Sequence, residues 1–229
     1  MATKTSQRVF IWVIAAVMVI GTLAGFFAMI ITPKNEAADQ AKIQEATAKY
    51  QKEMAAFQAK MTQQGKEMSE RYFDKFSEFK AKVGKFDKPT SKDVKAEDLV
   101  AGEGDTLGDK SRYAVYYMGW NPEGKMFDSS FNDDKSALNR PLVRQADGMW
   151  DFGNGQPGSV IEGWTEGLKD VKLGTVRVLT IPSDKAYGEA GSGENIPANT
   201  PLKFLMMIVE APEEVKAPKI PEILLQNYQ

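Results

Sequence analysis

Residues 9–32 form a run of 24 residues without a single charge, from Phe10, Ile11, Trp12, Val13 and Ile14 through to Phe26, Phe27, Met29, Ile30 and Ile31. A helix on a globular surface keeps one polar face, and no such face interrupts this run. At 1.5 Å per residue it reaches roughly 36 Å, enough to cross a hydrocarbon core of about 30 Å with some tilt. Trp12 lies near one end, where an aromatic ring favours the interface, and Pro33 marks the other, where a helix can stop. Lys4 and Arg8 precede the run with no acid before it, whereas Lys34 and Lys42 beyond it are mixed with Glu36, Asp39 and Glu45. The excess of positive charge on one side predicts a cytoplasmic tip at residues 1–8, a transmembrane helix at 9–32 and the remainder outside, in a single-pass membrane protein. A cleaved signal peptide competes with this reading, but its apolar core is usually about 7–15 residues, and no small-x-small cleavage site follows directly. A buried core helix is the third reading, disfavoured by the missing polar face.

From residue 33 to 84 the composition turns to Ala, Lys, Glu, Gln and Met. Ile43, Thr47, Tyr50, Met54, Phe57, Met61, Gln64 and Met68 recur at alternating steps of four and three, followed by Tyr72, Phe76, Phe79 and Val83. This heptad stripe predicts a long amphipathic or coiled-coil helix, with the step from Met68 to Tyr72 to Phe76 reading as a stutter. Gly65 weakens the helix by about 1 kcal/mol against alanine. Two readings stand. The helix packs on its own head domain, or it pairs with a second copy as a dimeric stalk, for which the stripe is poor in Leu and Ile.

Residues 85–97 are polar, contain Pro89 and read as a linker to a head domain at 98–211. Residues 212–229 hold Pro212, Pro218 and Pro221 and read as an extended tail, with Ile223, Leu224 and Leu225 available for docking.

Counting removes whole classes of chemistry. The chain has no cysteine and no histidine, which excludes disulfides, thiolate nucleophiles, zinc–sulfur sites, Ser-His-Asp triads and imidazole metal ligands. The net charge of −2 gives no electrostatic footprint for nucleic acid. Gly153, Gly155 and Gly158 match G-x-G-x-x-G, but Pro157 and the lack of a preceding hydrophobic strand argue against a dinucleotide site. Asp133 and Asp134 lack the spacing of a calcium loop. No cofactor and no metal are expected.

Within the head, residues 113–118 alternate as a strand, Asn121-Pro122-Glu123-Gly124 reads as a turn, and residues 125–129 return as its partner. Residues 160–168 are the best helix of the head, and residues 175–181 and 202–209 are the clearest core strands. The pattern predicts an α+β domain, an antiparallel sheet wrapped over one short helix.

An ordered series runs through this head: Tyr116-Tyr117-Met118-Gly119, Phe127-Asp128-Ser129-Ser130, Val160-Ile161-Glu162-Gly163-Trp164, Ala186-Tyr187-Gly188, Ile196-Pro197 and Phe204. It resembles the FK506-binding-protein (FKBP) type of peptidyl-prolyl cis-trans isomerase. The resemblance implies the same sheet-over-helix fold and an isomerase acting on proline-containing polypeptides, and the predicted single-pass anchor with its short cytoplasmic tip suits a place outside the cytoplasm, at a bacterial cell surface or periplasm. It implies Trp164 as the floor under the prolyl ring, with Tyr117, Phe127, Val160, Ile161 and Phe204 as walls. Trp150 takes the place of a further aromatic wall residue, and Ile196 comes from the loop over the pocket. Tyr187 is expected to donate its hydroxyl to a substrate carbonyl, and Asp128 to orient polar groups or polarise the twisted amide at the pocket edge. A non-catalytic module that binds proline segments is the alternative. Taken singly, Phe127, Val160, Phe204 and Trp164 read as core residues and Asp128 as a turn cap. The chain departs from small family members in a longer stretch between Asp128 and Trp150, and in a glycine-rich loop after Tyr187.

Overall fold

The computed structural model describes residues 36–152 and 157–225. The expected membrane span at 9–32 and most of the glycine motif, at 153–156, lie outside the described residues. Among the described residues no helix is long and apolar enough to cross a membrane.

Helix α1 runs Glu36–Ser77, as the heptad stripe predicts. The strands are β1 (Lys95–Val100), β2 (Tyr113–Trp120), β3 (Met126–Ser129), β4 (Leu142–Arg144), β5 (Trp150–Asp151), β6 (Pro157–Gly158), β7 (Val176–Ile181) and β8 (Leu202–Glu210). Helix α2 is Glu162–Gly167, and α3 is a single turn at Glu222–Leu225. The strands form one antiparallel sheet in the order β1-β7-β8-β2-β4-β5-β6, with β3 also on β2. The short helix lies on one face of this sheet, as the α+β pattern predicts.

The chain divides into two compact units, one spanning Met61–Glu214, the other holding the chain before it together with Val215 onward. The Met61–Glu214 unit is larger than the head expected from residue 98. The reason is visible in β2 and β8, whose stretches Tyr113–Trp120 and 204–209 read as unbroken apolar runs because both of their faces are covered. Tyr113, Val115, Phe204, Met206 and Ile208 join Trp164 and Leu168 of the α2 side in one core. Ala114, Tyr116, Met118, Trp120, Leu205, Met207 and Val209 join Met68 and Phe76 of α1 in a second core, with Tyr72, Phe73, Phe79 and Val83 packed against it. The C-terminal third of the stalk stripe is therefore the second layer of the head, so for these residues the packing is intramolecular.

The longer stretch after Asp128 is what seats that helix. Phe131 stacks on Phe76 at 5.6 Å and meets Phe73 edge-on at 5.8 Å. The Leu138 N–H donates to the Ser69 Oγ at 2.8 Å in a buried position, and Arg140 pairs with Asp151 at 2.8 Å with both side chains largely buried. The expected linker also holds to this unit. Phe86 is buried, its N–H donates to the Pro122 carbonyl at 3.2 Å, and Lys203 Nζ sits 4.6 Å above its ring.

Candidate active site

β2 carries the first wall. Its alternation turns Tyr113, Val115 and Tyr117 toward α2, and its register sets Tyr117 opposite Met206 and Gly119 opposite Phe204. Glycine is required at 119, because a Cβ there would lie 2.7 Å from both Phe127 Cζ and Phe204 Cε1. Removing that atom lets two rings close over the strand. The turn Asn121-Pro122-Glu123-Gly124 closes on a Gly124 N–H to Asn121 carbonyl bond of 3.0 Å, with Gly124 at φ +80°, and returns the chain as β3 with Phe127 and Asp128.

The rings converge on Trp164 of α2. Tyr117 and Phe204 each meet it at 5.2 Å, tilted by 70° and 85°, and Trp150 meets it at 5.8 Å and 73°. Phe127 stands edge-on to Phe204 at 5.6 Å. These edge-to-face contacts add about 0.5–1.5 kcal/mol per pair beyond the area they bury. The eight residues expected to bind substrate fall in this one core: Trp150, Trp164, Ile196 and Phe204 are buried, and Tyr117, Phe127, Val160 and Ile161 are partly so. The Trp164 indole N–H is buried without an acceptor, a cost of about 1–3 kcal/mol.

The polar groups lie at the rim. Tyr117 donates its hydroxyl to Asp128 Oδ2 at 2.6 Å, and Asp128 Oδ1 accepts the Ser129 N–H at 2.8 Å. Asp128 lies within β3, not at a turn, and its carboxylate holds the neighbouring Ser129 N–H and a wall phenol at once. Tyr187 is 40% exposed. Burial raises the Tyr117 phenol far above the ordinary tyrosine range, and the Asp128 carboxylate adds to the rise through its charge and the hydrogen bond it accepts. Tyr187 moves in the same direction, through burial first and Asp128 second. Both phenols stay protonated in neutral and mildly alkaline solution and remain hydrogen-bond donors.

Two residues were not foreseen. Ser130 Oγ accepts the Tyr117 N–H at 2.8 Å, which pins the strand beneath the wall ring. Asn121 is buried, accepts the Lys125 N–H through Oδ1 at 2.9 Å, and donates through Nδ2 to the Asn195 carbonyl at 3.1 Å. It ties the β2–β3 turn to the loop that delivers Ile196. The sequence signals only a turn-forming asparagine at 121; the partner 74 residues away carries no local pattern. A separate hollow of about 710 Å³ lies between α1 and the 136–140 stretch, lined by Met61, Gly65, Phe73 and Leu138 among others. It shares no residue with the ring cluster. Among the described residues no group of three or more His, Cys, Asp or Glu could hold a metal ion.

Residues 104–209 match the family model of the FKBP-type peptidyl-prolyl cis-trans isomerase. The chain is 34% identical over 169 residues to a probable FKBP-type peptidyl-prolyl cis-trans isomerase of Haemophilus influenzae, covering 71% of this chain and 63% of that protein. It is 34% identical over 177 residues to the FKBP-type peptidyl-prolyl cis-trans isomerase FkpA of Escherichia coli (strain K12), covering 77% of this chain and 54% of that one. It therefore spans less than two thirds of the length of these two relatives. A shorter relative, an FK506-binding protein of Neisseria meningitidis serogroup A, is 37% identical over 117 residues, which are 51% of this chain and 94% of that protein. With the ring cluster and the sheet-over-helix core lying inside the matched segment, this chain belongs to the FKBP-type peptidyl-prolyl cis-trans isomerase family.

Proposed function

We propose that the chain accelerates cis-trans rotation about X-Pro bonds in client polypeptides, at the ring cluster floored by Trp164. The observation that carries this is the edge-on convergence of Tyr117, Trp150 and Phe204 on one buried indole, with Asp128 and Tyr187 exposed beside it.

The task is to lower a rotational barrier of about 18–20 kcal/mol. Uncatalysed rotation takes tens to hundreds of seconds, and shortening it to milliseconds is about 10⁴-fold, or roughly 5.5 kcal/mol. No bond is made or broken, so a chain without histidine or cysteine loses nothing. Resonance makes the planar amide more polar than the twisted one, and a dry aromatic surface disfavours the planar form relative to the transition state. In this reading Trp164 supports the prolyl ring, with Tyr117, Phe127, Trp150, Val160, Ile161, Ile196 and Phe204 enclosing it. Tyr187 donates to a substrate carbonyl, and Asp128 fixes the Tyr117 hydroxyl.

A protease-free isomerisation assay on the intact chain with a proline tetrapeptide tests the proposal. Acceleration well above the spontaneous rate supports it. A folded protein that binds the peptide while the rate stays at background would instead make it a non-catalytic proline-binding module. The assay needs the helix: a fragment beginning at residue 90 would strip Met68, Phe76 and their neighbours from the second core.

Residues 9–32 serve in this reading as a membrane anchor, with the isomerase domain outside a bacterial cell membrane and extracytoplasmic proteins as its clients. The uncharged run and the placement of Lys4 and Arg8 support it. Because the chain has no native cysteine, single cysteines introduced at Thr3 and at Glu123 can be probed in intact cells with an impermeant maleimide. Labelling at 123 alone is expected; labelling at 3 alone would reverse the topology.

A further inference from the structure

Between residues 212 and 222 the partly buried positions are Pro212, Val215, Pro218 and Pro221, and every residue between them is exposed; Leu224 then follows as a buried residue. A spacing of three fits neither a strand nor an α-helix. It is the repeat of a polyproline II helix, which prolines favour because their φ is fixed and which needs no hydrogen-bond partners. The same compact unit holds the N-terminal part of α1. There Ile43, Ala46, Thr47, Tyr50, Met54 and Phe57 are partly buried, and all the other positions from 40 to 60 are exposed. The half-covered face is the heptad stripe. At about 3.1 Å per residue the six steps from Val215 to Pro221 reach roughly 19 Å, and the helical turn Glu222–Leu225 carries Leu224 about 4–5 Å further. The sum, roughly 23 Å, is close to the roughly 21 Å that separate Ile43 and Phe57 along the helix stripe. At the start of the strap, the stripe residue Gln64 donates to the Glu213 carbonyl at 2.7 Å, and Arg112 donates to the Pro212 carbonyl at 2.7 Å.

We propose that the C-terminal tail is the resident partner of this stripe, and that it closes the seam to a second copy of the chain. The stalk is then a helix paired with its own polyproline strap. Self-association through the Ile43–Phe57 face occurs only when the strap is displaced.

The test compares the intact chain with one ending at Glu214, which keeps the Gln64 and Arg112 contacts, by light scattering in a mild detergent. The intact chain is expected at the mass of one copy and the shortened chain at twice that mass. A peptide of residues 211–229 added in trans should return the shortened chain to one copy. Leu224→Asp in the intact chain should shift it toward the two-copy mass, and Phe57→Glu in the shortened chain should abolish the doubling. Equal masses for the intact and shortened chains, whether of one copy or two, would overturn the proposal, as would an intact Leu224→Asp chain unchanged in mass.

Discussion

In the proposed function Asp128 and Tyr187 have different duties at the same rim, and single substitutions separate them. Tyr187→Phe removes the hydroxyl proposed to donate to substrate and, among the described residues, breaks no side-chain hydrogen bond of the fold. We expect kcat/KM to fall about tenfold, the worth of one hydrogen bond, with a urea midpoint unchanged. Asp128→Ala strands the Tyr117 hydroxyl and frees the Ser129 N–H. It should therefore lower both turnover and stability, the latter by about 1–3 kcal/mol. Equal destabilisation by the two changes would assign Tyr187 a packing role instead. Asn121→Ala cuts the link to Asn195 and should speed hydrogen exchange in residues 192–196 while raising KM more than it lowers kcat; exchange at the wild-type rate would leave Asn121 a local turn residue. Much of the ring cluster was legible because aromatic side chains at fixed steps are conspicuous in a sequence. The Tyr117–Asp128 bond was not, since hydrogen-bond partners across a hairpin depend on register, and Asn121 gave no sign of its distant partner.

At the scale of elements, the sequence located β2, β7 and β8 to within two residues and the start of α1 to within three, but carried that helix to residue 84 where it ends at Ser77. It did not reveal which partner the helix stripe takes. A heptad pattern states that a face is apolar, and that face packs equally well on a sheet, on a strap or on another helix. The unbroken apolar runs Tyr113–Trp120 and 204–209 were the available signal, since a sheet bare on one side alternates and these do not. Two substitutions on α1 test the seating with opposite signs. A Cβ at Gly65 would find its nearest atom at 3.6 Å, on Arg140, an ordinary contact, so Gly65→Ala should stabilise the protein by about 0.5–1 kcal/mol. Ser69→Ala leaves the buried Leu138 N–H without its acceptor and should cost about 1–3 kcal/mol. Urea unfolding measures both, and a Ser69→Ala midpoint equal to wild type would mean that the 132–145 stretch does not hold the helix.

For the molecule as a whole, the absence of histidine leaves no side chain with an ordinary pKa near neutrality, so turnover should be flat from about pH 6 to 9. Stability should change only further up. Burial pushes the Tyr113 phenol up to about 12 and raises Tyr116 and Tyr117 beyond it. An unfolded tyrosine ionises near 10, so above about pH 10 the unfolded state sheds protons that the folded state keeps. Stability contributed by these phenols is complete below that point and falls as pH rises, by at most about 1.4 kcal/mol per pH unit for each group. Urea midpoints at pH 9, 10 and 11 should decline, and Tyr116→Phe should flatten the slope. An unaltered slope would mean that these hydroxyls are hydrated in the folded protein.

The most direct test of the proposed site is where a proline ring rests. Intermolecular nuclear Overhauser effects between a bound proline peptide and the intact protein should connect the prolyl ring protons to the indole of Trp164. Contacts instead to Phe73 and Leu138, in the hollow between α1 and the 136–140 stretch, with none to Trp164, would contradict the account.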